Sequence, residues 1–205
     1  MNHHTAELAA AAAQLVVDEG LEYAAAKRKA QRQLGRQGAR HGELPPNEQV
    51  EEAVRELLAL FHADTQPAEL LALRELAVRW MERLQEFRPH LAGAVWRGTA
   101  TRLSALHIEL YCDDPKSAEI ALINRGVDFD VGQRPHPRGG PEPVDVLTMA
   151  VRCTTLGEHI PLHLSVLDLD DLRGALKPDV RGRTWRGDLA ALHRLLQDTP
   201  DSADA

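Results

Sequence analysis

The apolar positions of this chain repeat every three to four residues up to about residue 90, and every second residue after it. Thr5 sits where a cap starts a helix that runs to about Asp18 and stops at Gly20. A second helix begins near Leu21 and ends at Gly35. Leu44-Pro45-Pro46 reads as a hinge, after which Asn47 caps a helix marked by Val50, Val54, Leu57, Leu58 and Phe61. Pro67 suits the first turn of a longer helix reaching about Phe87. Its apolar stripe is Leu70, Leu73, Ala77, Trp80, Met81, Leu84 and Phe87, which reads as core.

The later period predicts strands at Leu91–Arg97, Ala105–Cys112, Val127–Val131, Val144–Cys153 and Ile160–Val166. Pro115–Asn124 reads as a helix closed by Gly126. Residues 132–143, rich in Pro, Gly and Arg, read as a flexible hairpin loop. A short helix is expected near Leu169–Leu176, then a basic turn Lys177–Arg186, then a helix Asp188–Gln197 and an acidic tail. On the second strand Leu106, Ile108 and Leu110 share one face, and Ala105, His107, Glu109 and Tyr111 the other. On the last strand Ile160, Leu162, Leu164 and Val166 are the apolar set, with Pro161, His163 and Ser165 opposite. One side of the sheet is therefore expected to be apolar, and the other to show His107, Glu109 and His163.

Composition narrows the class. The 205 residues are 43% hydrophobic and 27% charged, which suits a globular chain with room for a core. Aromatics make up only 4%, so Leu, Val and Ala must build that core. The net charge of −7 argues against nucleic-acid binding by bulk electrostatics and leaves only a local patch for it. Cys112 and Cys153 stand alone in strands, which suits a reducing compartment. No signal peptide or membrane span is read, so a cytoplasmic protein without a membrane partner is expected.

The second helix is a basic stretch. Arg28, Arg32 and Arg36 are spaced four apart, and no acidic residue lies between Glu22 and Glu43. This stripe is a candidate RNA-binding patch, or else a solvated face offset by the acidic helix that follows. The segment Lys177–Arg186 mixes Arg181, Arg183 and Arg186 with Trp185. It reads as a base-stacking platform or as a basic loop over the sheet edge. His3-His4 is a metal-binding tail at most. No nucleophile-elbow, P-loop, dinucleotide-fold or zinc-protease motif is present.

Gly93-Ala94, then Gly98-Thr99-Ala100-Thr101 with Ser104, then a strand bearing His107 and Glu109, resembles the active-site signature of the nucleotidyltransferase superfamily. That superfamily has the DNA polymerase beta-like palm, and the resemblance covers roughly Leu91 to Val166. The longer pattern of Ala26-Lys27-Arg28-Lys29-Ala30, Gln66-Pro67-Ala68-Glu69-Leu70 and Gly98-Thr99-Ala100 is similar to a group of bacterial nucleotidyltransferase-like proteins. The resemblance implies an α+β fold. A helical N-terminal region (1–90) would precede a palm (91–176) whose mixed β-sheet carries helices on one face, followed by a C-terminal basic turn, helix and tail (177–205). It implies that Gly93, Arg97, Gly98, Thr99, Thr101 and Ser104 seat a nucleoside triphosphate.

In the family an Asp-x-Asp pair holds two magnesium ions. Here Ala105 and His107 stand at those positions, and His163 stands where a third carboxylate is common. Magnesium wants hard oxygen ligands and binds imidazole poorly. His107, Glu109 and His163 instead form a two-His, one-carboxylate set suited to manganese, zinc or nickel. Alternatively the register shifts by two, making His107-x-Glu109 the counterpart of Asp-x-Asp, or the palm is degenerate. Two functions follow from the resemblance. One is transfer of a nucleoside monophosphate from NTP to an RNA, protein or small-molecule acceptor, with His107, Glu109 and His163 catalytic and metal-bound. The other is a degenerate palm that binds nucleotide or RNA as a regulatory module, with Arg28, Arg32 and Arg36 on phosphate. A palm serving only as a scaffold for a protein partner is a third reading.

Overall fold

The computed structural model describes residues 3–35, 44–136, 139, 142–178 and 182–198. The fold is α+β, and the chain divides into two compact units. The first comprises residues up to Leu70 together with Thr99–Ser104. The second comprises Leu71–Gly98 and the residues from Ala105 onward.

In the first unit α1 (His3–Glu19), α2 (Tyr23–Gln33) and α3 (Asn47–Phe61) share a core of Leu8, Ala12, Val16, Ala26, Ala30, Val50, Val54 and Leu58. Small residues on α1 and α2 let the helices approach closely, which is why so few aromatics suffice. Thr5 falls inside the first turn of α1, not ahead of it. Asn47 is likewise the first residue of α3, and Pro46 holds the cap position. The Asn47 side chain is used differently: its Oδ1 accepts from Lys27 Nζ at 2.8 Å, while the same ammonium donates to Pro45 O at 3.1 Å. Gly20 has φ +66, and a Cβ there would run into the backbone of Leu103, so only glycine fits. The loop Thr99–Ser104 is tied to this unit by Gln66 Nε2 donating to Ala100 O at 2.8 Å and by Arg102 N donating to Glu69 Oε2 at 3.0 Å. Arg36 lies outside the described residues, as do Arg40 and Arg181.

The second unit holds a six-stranded sheet. Its strands are β1 (His90–Ala92), β2 (Leu106–Cys112), β3 (Asp130–Arg134), β4 (Val144–Cys153), β5 (Glu158–Asp168) and β6 (Arg186–Asp188), in the order β3-β4-β5-β2-β1-β6. The β2–β5 pair is parallel and the others are antiparallel, so the sheet is mixed. Leu91, Leu106, Ile108, Leu110, Leu147, Leu162 and Leu164 are fully buried in its core. From Leu71 onward α4 (Gln66–Arg83) belongs to this unit, with Leu73, Leu76, Ala77, Trp80 and Met81 buried. Three further helices complete the unit: α5 (Gly93–Arg97), α6 (Pro115–Asn124) and α7 (Leu189–Gln197). Asp114 caps α6 by accepting from Lys116 N, with Pro115 in the first turn. Asp188 caps α7 by accepting from Ala191 N.

Three strand expectations change. Leu91–Arg97 is not one strand. It is the three-residue β1 followed by α5, because Gly93 at φ +70 turns the chain out of the sheet and Gly98 at φ +79 closes the helix. The strand expected at Val127–Val131 sits later, at Asp130–Arg134, pairing with the start of β4. The edge strand β6 was not read from the sequence at all. The helix expected near Leu169–Leu176 is a single turn, Leu169–Leu172. Among the described residues no helix is long and apolar enough to cross a membrane.

Candidate functional site

Strand alternation and register bring the polar residues of one sheet face into rows. His107 on β2 is opposite His163 on β5, which is opposite Thr148 on β4. One step along, His90 on β1, Glu109 on β2 and Ser165 on β5 form the next row. The two imidazoles of the first row stack, with centroids 5.0 Å apart and planes 25° from parallel. His163 Nδ1 lies 3.0 Å from Thr148 Oγ1, which holds that ring by its inner nitrogen. Gly93 packs beside His107, where an added Cβ would meet the ring at 3.2 Å. The sequence-read pairing of His107 with His163 is thus a direct contact, with Gly93 against it.

Glu109 is in a different state from that expected of an open face. It is only 4% exposed, and both its oxygens are engaged. Tyr111, two residues on and on the same face, donates its hydroxyl to Glu109 Oε2 at 2.7 Å. Arg186 Nε on β6 lies 3.1 Å from the same oxygen, and a guanidinium nitrogen of Arg134 on β3 lies 3.7 Å from Oε1. The carboxylate on a central strand therefore draws a cation from each edge strand of the sheet. A buried carboxylate needs such company, since an isolated one is costly to desolvate. Tyr111 is fully buried with Val144, Leu167 and Ala175, so residues near 167–175 cover this end of the polar face. Burial, followed by the Glu109 charge and hydrogen bond, pushes the Tyr111 hydroxyl far above its ordinary range. His90 meets the Tyr111 ring edge-on at 5.1 Å.

The remaining residues read from the sequence fall elsewhere. Arg97 lies over the ring of Trp185, 4.1 Å from its centroid, so one face of that indole carries a guanidinium. Trp96 donates Nε1–H to Thr184 O at 2.9 Å. Gly98 ends α5. Thr99, Thr101 and Ser104 belong to the first unit and are buried there. Ser104 Oγ accepts from Thr101 N at 3.0 Å and Thr101 Oγ1 accepts from Leu103 N at 3.4 Å, so these hydroxyls shape their own turn. Thr99 Oγ1 is buried without a hydrogen-bond partner among the described residues. Arg28 and Arg32 are exposed on α2, while Lys27 and Lys29, on either side of Arg28, are tied to Asn47 and Glu19.

Sequence reasoning missed Arg134 and Thr148, and it named Tyr111 and Arg186 without their contacts to Glu109. Tyr111 had a signal, because alternation puts it on the face of Glu109. Arg186 was read as basic but not as a strand residue, since β6 carries no apolar pattern, and Arg134 fell in the stretch read as a loop. Among the described residues no three His, Cys, Asp or Glu side chains gather into a group that could hold a metal ion. No protein-family model matches the chain, and no curated protein matches it.

Proposed function

We propose that this protein is a catalytically degenerate palm-type module that binds a nucleotide through its phosphates, without two-metal chemistry. The observation that carries the reading is the engagement of Glu109. Two guanidinium groups, Arg186 and Arg134, flank one buried carboxylate, and Tyr111 hydrogen-bonds it. A divalent ion would have to displace a guanidinium from Glu109, the carboxylate in the row next to His107 and His163. The two cations exceed the carboxylate by one charge, which favours an anion. Asp130 at the sheet edge is exposed and screened by solvent. His107 and His163 add two imidazoles that can donate to phosphate oxygens.

The test is calorimetric titration with ATP, GTP, CTP, UTP and inorganic triphosphate in EDTA, repeated with manganese and zinc. Binding in EDTA, weakened about tenfold in Arg134→Gln, is the expected result, since a hydrogen bond to a charged group contributes about 1.5–3 kcal/mol. Binding that requires metal and disappears in His107→Ala would overturn the metal-free reading in favour of the atypical metal site. If label then passes from alpha-labelled NTP to an acceptor, the protein is a transferase. Binding of oligoribonucleotide alone, lost in Arg28→Glu with Arg32→Glu, would assign the ligand to RNA on α2 instead.

A further inference from the structure

We propose that a cleft at the β1–β6 end of the second unit binds a small amphipathic anion: a singly charged head, such as a carboxylate, on a hydrocarbon or aromatic body. The cleft has a volume of about 930 Å³ and is walled by Pro89, Leu172, Leu176 and Leu189, with Ala190 at its edge. That volume is within the range that encloses small organic molecules. It shares His90 with the row that holds Glu109, but its cations and apolar walls are other residues, and it does not depend on the nucleotide reading.

Charge decides which body and head fit. Arg88, Lys177 and Asp188 are the formally charged groups lining the cleft. The Asp188 carboxylate is spent on capping α7, where Oδ1 accepts from Ala191 N at 2.8 Å. Arg88 and Lys177 are both exposed at the rim. Two cations against one carboxylate leave an excess of one positive charge over apolar walls, which complements an anion with an apolar body.

His90 supplies orientation. It lines the cleft, is only 5% exposed, and places Nδ1 2.8 Å from Arg88 O. A carbonyl oxygen can only accept, so Nδ1 carries the proton of that bond. Nε2 is then the ring nitrogen left to meet a ligand head group. The Arg88 backbone that provides this carbonyl is left-handed, with φ 46 and ψ 59, in a residue that is not glycine. Such a conformation is strained for a residue with a side chain and is held only where the surroundings enforce it. Pro89 follows it, and the His90 ring bonds its carbonyl.

The experiment is calorimetric titration of the full chain with octanoate, with octanol and octylammonium as controls. Two variants remove the head-group cations. Lys177→Glu changes an exposed residue, and Arg88→Gly removes the guanidinium while relieving the left-handed backbone, so both are expected to stay folded by thermal melting. Ala190→Trp, also at an exposed position, fills the cleft. The expected result is saturable octanoate binding, at least tenfold weaker in the Lys177→Glu, Arg88→Gly double variant and abolished in Ala190→Trp. Neither control is expected to bind comparably. Octanol binding as tightly as octanoate, or octanoate binding unchanged in the double variant, would overturn the anion assignment. Octanoate binding that survives in Ala190→Trp would place the ligand elsewhere and overturn the site.

Discussion

Arg186 reaches Glu109 across an intervening strand. Its Nε is 3.1 Å from Glu109 Oε2, although β1 separates β6 from β2 in the sheet. Both side chains are largely buried, at 13% and 5% exposure. Removing one partner leaves the other charge buried without compensation. Arg186→Met is therefore expected to destabilise the second unit by about 3 kcal/mol. Urea denaturation of Arg186→Met, Glu109→Gln and the double variant checks this. The double variant should lose much less than the sum of the singles, and additive losses would show that the pair is uncoupled.

The Tyr111 hydroxyl makes stability fall in alkali. Its folded pKa is raised above the ordinary value of about 10. The folded state thus holds a proton that the unfolded state releases as pH rises past that value. The stabilisation is complete below about pH 10 and is lost progressively above it. Melting temperatures of the parent should drop more steeply between pH 10 and 12 than those of Tyr111→Phe. Parallel curves would show that the phenol is not linked to folding.

Gly187 on β6 lies against the Trp96 ring, which is pinned by its bond to Thr184 O. An added Cβ would fall inside the indole. Gly187→Ala is expected to cost about 1–3 kcal/mol by overpacking and to change tryptophan fluorescence. Gly132→Ala on β3 is the control. Its Cβ would meet only Val146 O at 4.0 Å, so its cost should stay within about 0.5 kcal/mol.

Lys27 ties α2 to the start of α3 through Pro45 O and Asn47 Oδ1. Partial burial lowers its pKa, with the nearby Glu48 charge opposing that shift. Lys27→Met should cost about 1–2 kcal/mol in urea denaturation, and Asn47→Ala about half of that, since Pro45 O keeps its donor.

The sequence made the centre of the sheet legible and hid its edges. The apolar positions Leu106, Ile108 and Leu110 of β2, Leu147, Met149 and Val151 of β4, and Ile160, Leu162 and Leu164 of β5 recur every second residue because they face the core, and Asp114, Pro115 and Gly126 mark α6 by cap chemistry. Leu91–Arg97 misled because Leu91, Gly93 and Val95 imitate a period of two, while the backbone sign of Gly93 breaks the strand. Arg186-Gly187-Asp188 carries no pattern because a three-residue edge strand needs no apolar face. The candidate site followed the same division. His107 beside His163 came from register within strong strands. The cations on Glu109 came from edge strands, whose placement depends on long-range pairing rather than on local period.

The order of the strands also sets a timetable for synthesis. Glu109 is translated well before Arg186, so the nearer of its two cations arrives only with that late strand. A nascent chain stalled before β6 leaves the ribosome holds a carboxylate that has Tyr111 and Arg134 but lacks its nearer cation. The second unit therefore completes its fold only after translation has passed Arg186, and an arrested chain ending before it should remain protease-sensitive even though most of its strands have emerged.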